Sequence, residues 1–205
     1  MLIGIDFDNT LVTYDHLFAA TARAQGWLST EEPFPGKPTL RATIRSQPNG
    51  EHHWQDLQVE VYARRMAEAH LAPGADAFIH LCRTKNVPLC IISHKTRHAV
   101  RDPQQTDLRQ IAWEWMTQQG FFATDGLGFQ TSEVDFAATR TEKLTRLAQR
   151  GCTHFIDDLI EVLADPGFPP TTEGILYCPT GSIPEVSRWP VYRSWHDIIH
   201  HLFDD

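Results

Sequence analysis

Long apolar runs are missing from this chain. None of its 205 residues lie in a stretch approaching the roughly 18 consecutive apolar residues that span a bilayer, so a membrane helix is not expected. Basic tracts are missing too. Lys and Arg total 18 against 26 Asp and Glu, a formal net charge of −8. A polyanion binder needs a cationic surface, so nucleic acid and anionic membranes are not expected partners. Cysteine is scarce: Cys82, Cys90, Cys152 and Cys178 are the four, with no Cys-x-x-Cys pair. They lie in or beside apolar stretches, where Cys acts as a small buried hydrophobe. Reduced core thiols in a cytoplasmic protein are expected, not a disulfide framework or a zinc site. Met1 passes directly into Leu2-Ile3-Gly4-Ile5 without a basic segment or a cleavage-site pattern. No fixed-period repeat or low-complexity tract stands out.

What is present is an ordinary globular composition, 41% hydrophobic, in a chain long enough to bury a core without staples. Its length suggests one domain plus an insert. Leu2–Ile5 reads as a short buried strand ending at Asp6. Residues 16–25 suit a helix stopped by Gly26. Residues 30–50, with Pro33, Pro35, Gly36, Pro38, Pro48 and Gly50, read as mostly loop. Residues 54–70 read as a helix on Trp54, Leu57 and Val61, widened by Tyr62 and Met66. Pro73-Gly74 opens a further helix, with Ala77, Phe78, Leu81 and Cys82 on one face. Val87–Ile92 is a buried strand, 106–119 a helix and Val134–Ala137 a short strand. Thr141 is a candidate cap for a helix running to Gln149, before Gly151. Thr153–Ile156 and Gly174–Cys178 are strands, and Ser194 caps a last helix. Strands alternating with helices predict a doubly wound, Rossmann-like parallel α/β sheet. Ligands of such sheets lie beyond the C-terminal strand ends. The residues standing there are Asp6, Ser93 and Asp157-Asp158.

Asp6-Phe7-Asp8-Asn9-Thr10 is the most informative stretch. Two acids at i and i+2, just past a strand, face one cavity only if the chain curls there. Such pairs also occur in solvated loops. The buried strand before this one, and the second pair at Asp157-Asp158, favour chemistry, with one acid as nucleophile or metal ligand and the other as acid or base.

In four ordered motifs the sequence resembles the haloacid dehalogenase-like superfamily. Asp6-Phe7-Asp8-Asn9-Thr10 is similar to its Asp-x-Asp-x-Thr motif, Ser93 after Leu89-Cys90-Ile91-Ile92 to its second, Lys143 to its third, and Asp157-Asp158 to its fourth. The resemblance implies that Asp6 attacks phosphorus and forms an aspartyl-phosphate. Asp8 would protonate the leaving oxygen and then activate water. Thr10 and Ser93 would hold the phosphoryl group, and Lys143 would offset its charge. Asp6, Asp157 and Asp158, with the backbone carbonyl of Asp8, would hold Mg²⁺. Dehalogenases of this superfamily lack the second acid, so Asp8 argues for phosphate chemistry. Physical chemistry agrees: at 4 Å in an effective dielectric near 20, one pair of like unit charges costs roughly 4 kcal/mol. A divalent ion and a lysine reverse that sign, and Mg²⁺ suits oxygen ligands. Lys143 lies close to Asp157 in sequence, leaving room for a short helix and a strand, and Lys95 competes for the third role.

Two other regions hold candidate substrate contacts. Ser93-His94-Lys95-Thr96-Arg97-His98 is dense in donors; His94, Lys95 and Arg97 read either as anion contacts or as a polar loop after a strand. Residues 15–72 form an insert between 1–14 and 73–205, the catalytic core. The resemblance makes this insert a small, mainly helical cap whose specificity residues face the cleft. His53 and Arg64 are the main candidates there, with His52, Trp54 and Arg65 beside them; each also reads as plain surface. The expectation is a cytoplasmic Mg²⁺-dependent phosphatase, a monomer or homodimer, acting on a small phosphorylated metabolite. A sugar phosphate comes first and a nucleotide second. A phosphomutase with the same acids, or a non-catalytic phosphometabolite-binding module, are the alternatives.

Overall fold

A computed structural model describes residues 1–180 and 188–204; the stretch 181–187, inside the range read as core, lies outside the described residues. The chain divides into two compact units, one of Met1–Val12, Leu71–Lys95 and Met116–Asp205, the other of Thr13–His70 and Thr96–Trp115. The division differs from the sequence reading at Thr96–Trp115, which pack with residues 13–70. Leu108 joins Val59 and Ala63 in one apolar cluster, and Trp115 donates its indole N–H to the Ala69 carbonyl at 3.1 Å. Such contacts between distant segments leave no mark on local periodicity.

The first unit is a parallel sheet with helices. Among the described residues its six strands are β1 (Ile3–Ile5), β4 (Leu89–His94), β5 (Val134–Ala137), β6 (His154–Asp157), β7 (Glu173–Tyr177) and β8 (Val191–Tyr192), in the order β5-β4-β1-β6-β7-β8. β1 is central: Ile5 pairs with Ile91 on one side and with Ile156 on the other, both in parallel. The strand order reverses direction there, so the crevice that a doubly wound sheet offers a ligand opens at the end of β1. The expected α/β doubly wound sheet is therefore present.

The sheet is covered by α4 (Ala75–Thr84), α6 (Arg140–Arg150), α7 (Ile160–Leu163) and α8 (Trp195–Phe203). Leu144, Leu147, Val162 and Leu163 bury against Cys90, Ile92, Phe155 and Leu176, each large side chain contributing about 1.5–3 kcal/mol. Gly4 is required inside β1, since a Cβ there would lie 2.8 Å from the Phe155 ring and 3.0 Å from Cys152 Sγ. Among the described residues the four cysteines form no disulfide. The α6 cap is Thr139, not Thr141: its hydroxyl accepts from the Glu142 N–H at 3.1 Å. The Ser194 hydroxyl caps α8 by accepting from the Asp197 N–H, as expected. On α4 the buried face is Ala75, Phe78, Ile79 and Cys82, with Ala77 exposed and Leu81 half-buried.

The two-residue strands β2 (Val12–Thr13) and β3 (His70–Leu71) pair where the chain leaves and re-enters the first unit. The second unit holds α1 (Asp15–Ala24), α2 (Lys37–Arg45), α3 (Gly50–Val59) and α5 (Leu108–Gln118) as far as Trp115. α2 corrects the reading of 30–50 as mostly loop. Pro38 stands in its first turn, where no backbone N–H is needed, and Leu40 and Ile44 bury one face four residues apart. The helix read over 54–70 instead begins at Gly50 and changes at Glu60–Arg64 to a π turn, closed by the Arg65 N–H on the Glu60 carbonyl at 3.0 Å. Trp54 stacks on Phe18 at 5.6 Å inside this unit's core. Among the described residues no helix is long and apolar enough to cross a membrane.

Candidate active site

The loop after β1 curls as the paired acids require. Asn9 takes a left-handed conformation (φ 61), and the Phe7 carbonyl accepts from the N–H groups of Leu11 and Val12 at 3.0 Å each. Phe7 is fully buried and meets Phe136 edge-on at 5.9 Å, anchoring the loop between the two acids. The Asp6 N–H continues the sheet ladder by donating to the Ile156 carbonyl at 2.9 Å. Asp6 thus stands level with Asp157 at the end of β6.

Lys143 joins those two carboxylates. One turn inside α6 and 2% exposed, it holds Nζ 2.6 Å from Asp6 Oδ1 and 2.6 Å from Asp157 Oδ2. Of the two lysines weighed for the third motif, Lys143 is the one that meets Asp6 and Asp157. Burial opposes its charge, but the coulombic pull of Asp157 and Asp6 keeps the ammonium above its ordinary range. Two buried carboxylates share one cation, so negative charge is left over. Burial, with Asp157 and Asp8 nearby and against the pull of Lys143, pushes Asp6 up from 3.8 to about 7.

Asp158 completes a group with Asp6 and Asp157 whose ligand atoms lie within 4.8 Å of one another. The donors are all carboxylate oxygens, the set that suits Mg²⁺, and excess negative charge in a buried site calls for a cation. Asp157 Oδ1 also accepts from the Leu159 N–H at 2.8 Å, which orients the carboxylate and leaves lone pairs on both oxygens for an ion. The residues present fit a hard divalent ion.

Thr10, in the loop after β1, and Ser93, near the end of β4, each carry a buried hydroxyl with no hydrogen-bond partner among the described residues. An unmet buried polar group costs about 1–3 kcal/mol. Both are residues that the sequence reading makes phosphoryl contacts. The Lys95 ammonium meets Asp8, 2.9 Å from each carboxylate oxygen, with the lysine only 4% exposed. Sequence reasoning missed this pair; its one signal was a lysine two residues after Ser93.

His94, the last residue of β4, and Arg97 beyond it also have partners. His94 Nε2 lies 3.1 Å from the Ala138 carbonyl, and burial lowers its pKa, favouring the neutral ring. In the second unit Arg97 pairs with Asp107 at 2.7 Å. His53 stacks on Trp27 at 5.1 Å, its Nδ1 buried without a partner among the described residues. Arg64 lies 3.5 Å from Glu60 and 3.6 Å from Asp102. His53 and Arg64 line one cavity of about 840 Å³ within that unit, together with Trp27, Asp56 and Glu60. Arg65 lies there too, bound to Glu68 and to the Thr21 hydroxyl at 2.9 Å, while His52 is exposed.

No protein-family model and no curated protein sequence matches the chain. Solved structures do. A haloacid dehalogenase-like family hydrolase from Streptococcus pneumoniae aligns over 98% of this chain and 97% of its own, at 13% identity and a TM-score of 0.58. A HAD family hydrolase from Deinococcus radiodurans, solved with bound phosphate and sodium, aligns over 98% and 93%, at 16% identity and 0.57. Protein tyrosine kinase A from Mycobacterium tuberculosis aligns over 98% and 97%, at 16% identity and 0.58. With its central β1, its reversed strand order and these near-complete alignments, the chain carries the fold of the haloacid dehalogenase-like hydrolases.

Proposed function

We propose that the chain is a phosphoric monoester hydrolase that passes the phosphoryl group to Asp6 and then to water. The observation that carries this reading is Lys143, 2.6 Å from both Asp6 and Asp157 inside a three-carboxylate cluster. Asp6, Asp157 and Asp158, with the Asp8 backbone carbonyl, would hold Mg²⁺, which would supply positive charge where one anion attacks another. Lys143 adds the charge that the chain itself provides.

An Asp6 carboxylate oxygen forms the new bond to phosphorus. The bond to the leaving oxygen breaks, and its electron pair departs with that oxygen. Asp8 delivers the proton the leaving group needs. Asp8 then takes a proton from water as that water attacks phosphorus, which frees phosphate and restores Asp6. The Thr10 and Ser93 hydroxyls donate to non-bridging oxygens, which would meet their hydrogen-bonding demand. Such transfer depends mainly on positioning and charge stabilisation.

The substrate proposed is a small phosphate monoester, a sugar phosphate before a nucleotide. Phosphate in the Deinococcus radiodurans hydrolase supports an anion site in this fold. The kinase name of the Mycobacterium tuberculosis neighbour makes the acceptor worth testing. The test is an aryl phosphate assay with Mg²⁺, followed by a screen of phosphorylated metabolites. Release of inorganic phosphate is expected, and its loss in a folded Asp6→Asn variant. Transfer of the phosphoryl group to a second metabolite without phosphate release would favour a mutase.

A further inference from the structure

The last helix carries a second cluster of metal-ligating side chains, different in chemistry from the carboxylates. His196 and His200 are four residues apart on α8, so both rings project from one face. Their Nε2 atoms stand 3.2 Å apart, with ring centroids 4.3 Å apart and planes inclined at 66°. His200 turns Nδ1 onto the Asp204 carboxylate. An Nδ1–H donating there leaves Nε2 of the neutral ring as a lone pair facing His196.

The separation matches a chelate. Two nitrogen bonds of 2.0–2.1 Å to a shared ion span 3.2 Å at an angle of about 100–105°, close to tetrahedral. His200 lies in the last turn of α8, where carbonyl ends favour positive charge. Both rings are exposed, so an ion enters without opening the fold. His201, the next residue, stands apart with Nε2 3.3 Å from Glu173.

We propose that His196 and His200 form a site for a divalent transition metal, Zn²⁺, Ni²⁺ or Cu²⁺, with Asp204 orienting His200 and water completing the coordination. Imidazole nitrogens suit these borderline ions, whereas Mg²⁺ prefers oxygen. The bound ion ties together one turn of α8, whose other face holds Trp195 against Phe78 at 4.9 Å and Tyr177 at 5.4 Å.

Equilibrium dialysis against Zn²⁺ in saturating Mg²⁺ tests the site on the full chain. The parent is expected to bind one more Zn²⁺ per chain than His196→Ala or His200→Ala. Asp204→Asn should keep that ion with affinity lowered about 10-fold. The substitutions fall at exposed positions, and helicity by circular dichroism should match the parent. Aryl phosphate turnover in Mg²⁺ should match it too, since neither histidine belongs to the carboxylate site. Equal zinc counts in the parent and both histidine variants, or loss in one variant alone, would overturn the proposal.

Discussion

The Lys95 ammonium bridges both oxygens of the Asp8 carboxylate, 2.9 Å from each, across 87 residues of sequence. A bridged carboxylate has one orientation instead of several. For a residue proposed to deliver and take protons, orientation decides rate. Lys95→Met should therefore slow alkyl phosphates about 10-fold or more in kcat, short of the roughly 10²–10⁴ that losing the acid–base residue itself costs. Activated aryl phosphates, whose leaving groups need little proton, should lose far less. A direct substrate contact would instead raise KM for both classes. In an Asp8→Asn background the Lys95 effect should vanish, which steady-state kinetics on the double variant measures.

Asp6 gives the metal-free fold a pH dependence of its own. Burial raises its pKa from 3.8 to about 7, so the folded chain holds this proton more tightly than the unfolded chain. The resulting stability is fully present below pH 3.8 and is lost as the pH rises through about 7. Each pH unit crossed costs about 1.4 kcal/mol, a ceiling near 4 kcal/mol in all. Asp6→Asn should then be inactive but more stable than the parent at pH 8 with a chelator, by about 1–4 kcal/mol. Below pH 4 the difference should shrink. Urea unfolding at both pH values is the measurement.

Ser93 separates stability from function in a similar way. Its hydroxyl is buried and unmet in the free chain, so Ser93→Ala should leave the fold as stable or stabilise it by up to about 1 kcal/mol. Turnover should fall about 10²-fold, the usual cost of removing one preorganised donor to a developing anion. Thermal unfolding and kinetics on the same sample decide it.

Removing divalent ions should abolish turnover, and Mg²⁺ should restore it. The ion should also stabilise the fold: at 100 times its Kd, a ligand of the folded state adds about 2.7 kcal/mol. Asp157→Asn should lose most of that gain. Thermal melts with and without Mg²⁺ read it independently of activity.

Much of this site is legible in the sequence. β1, β4 and β6 are apolar runs that end in Asp6, at Ser93-His94 and in Asp157, and a parallel sheet brings strand ends together whatever the distance in sequence. Lys143 is harder to read, because a surface lysine on a helix has the same local pattern. α2 is hidden because the prolines in and around it outweigh Leu40 and Ile44, although Pro38 sits where a helix accepts it. The π turn at Glu60–Arg64 inserts a residue that no 3.6-residue pattern anticipates. The Lys95–Asp8 pair and the packing of Thr96–Trp115 with residues 13–70 are products of tertiary contact, beyond the reach of local pattern.

Asp6, held beside Asp157 by Lys143, is the proposed nucleophile. Its most direct test is mass spectrometry of the enzyme quenched in acid during turnover of an aryl phosphate with Mg²⁺. A phosphoryl group on the peptide containing Asp6, absent from Asp6→Asn and without Mg²⁺, is the expected result. Rapid turnover with no phosphorylated Asp6 at any quench time, together with normal turnover by a folded Asp6→Asn variant, would contradict it.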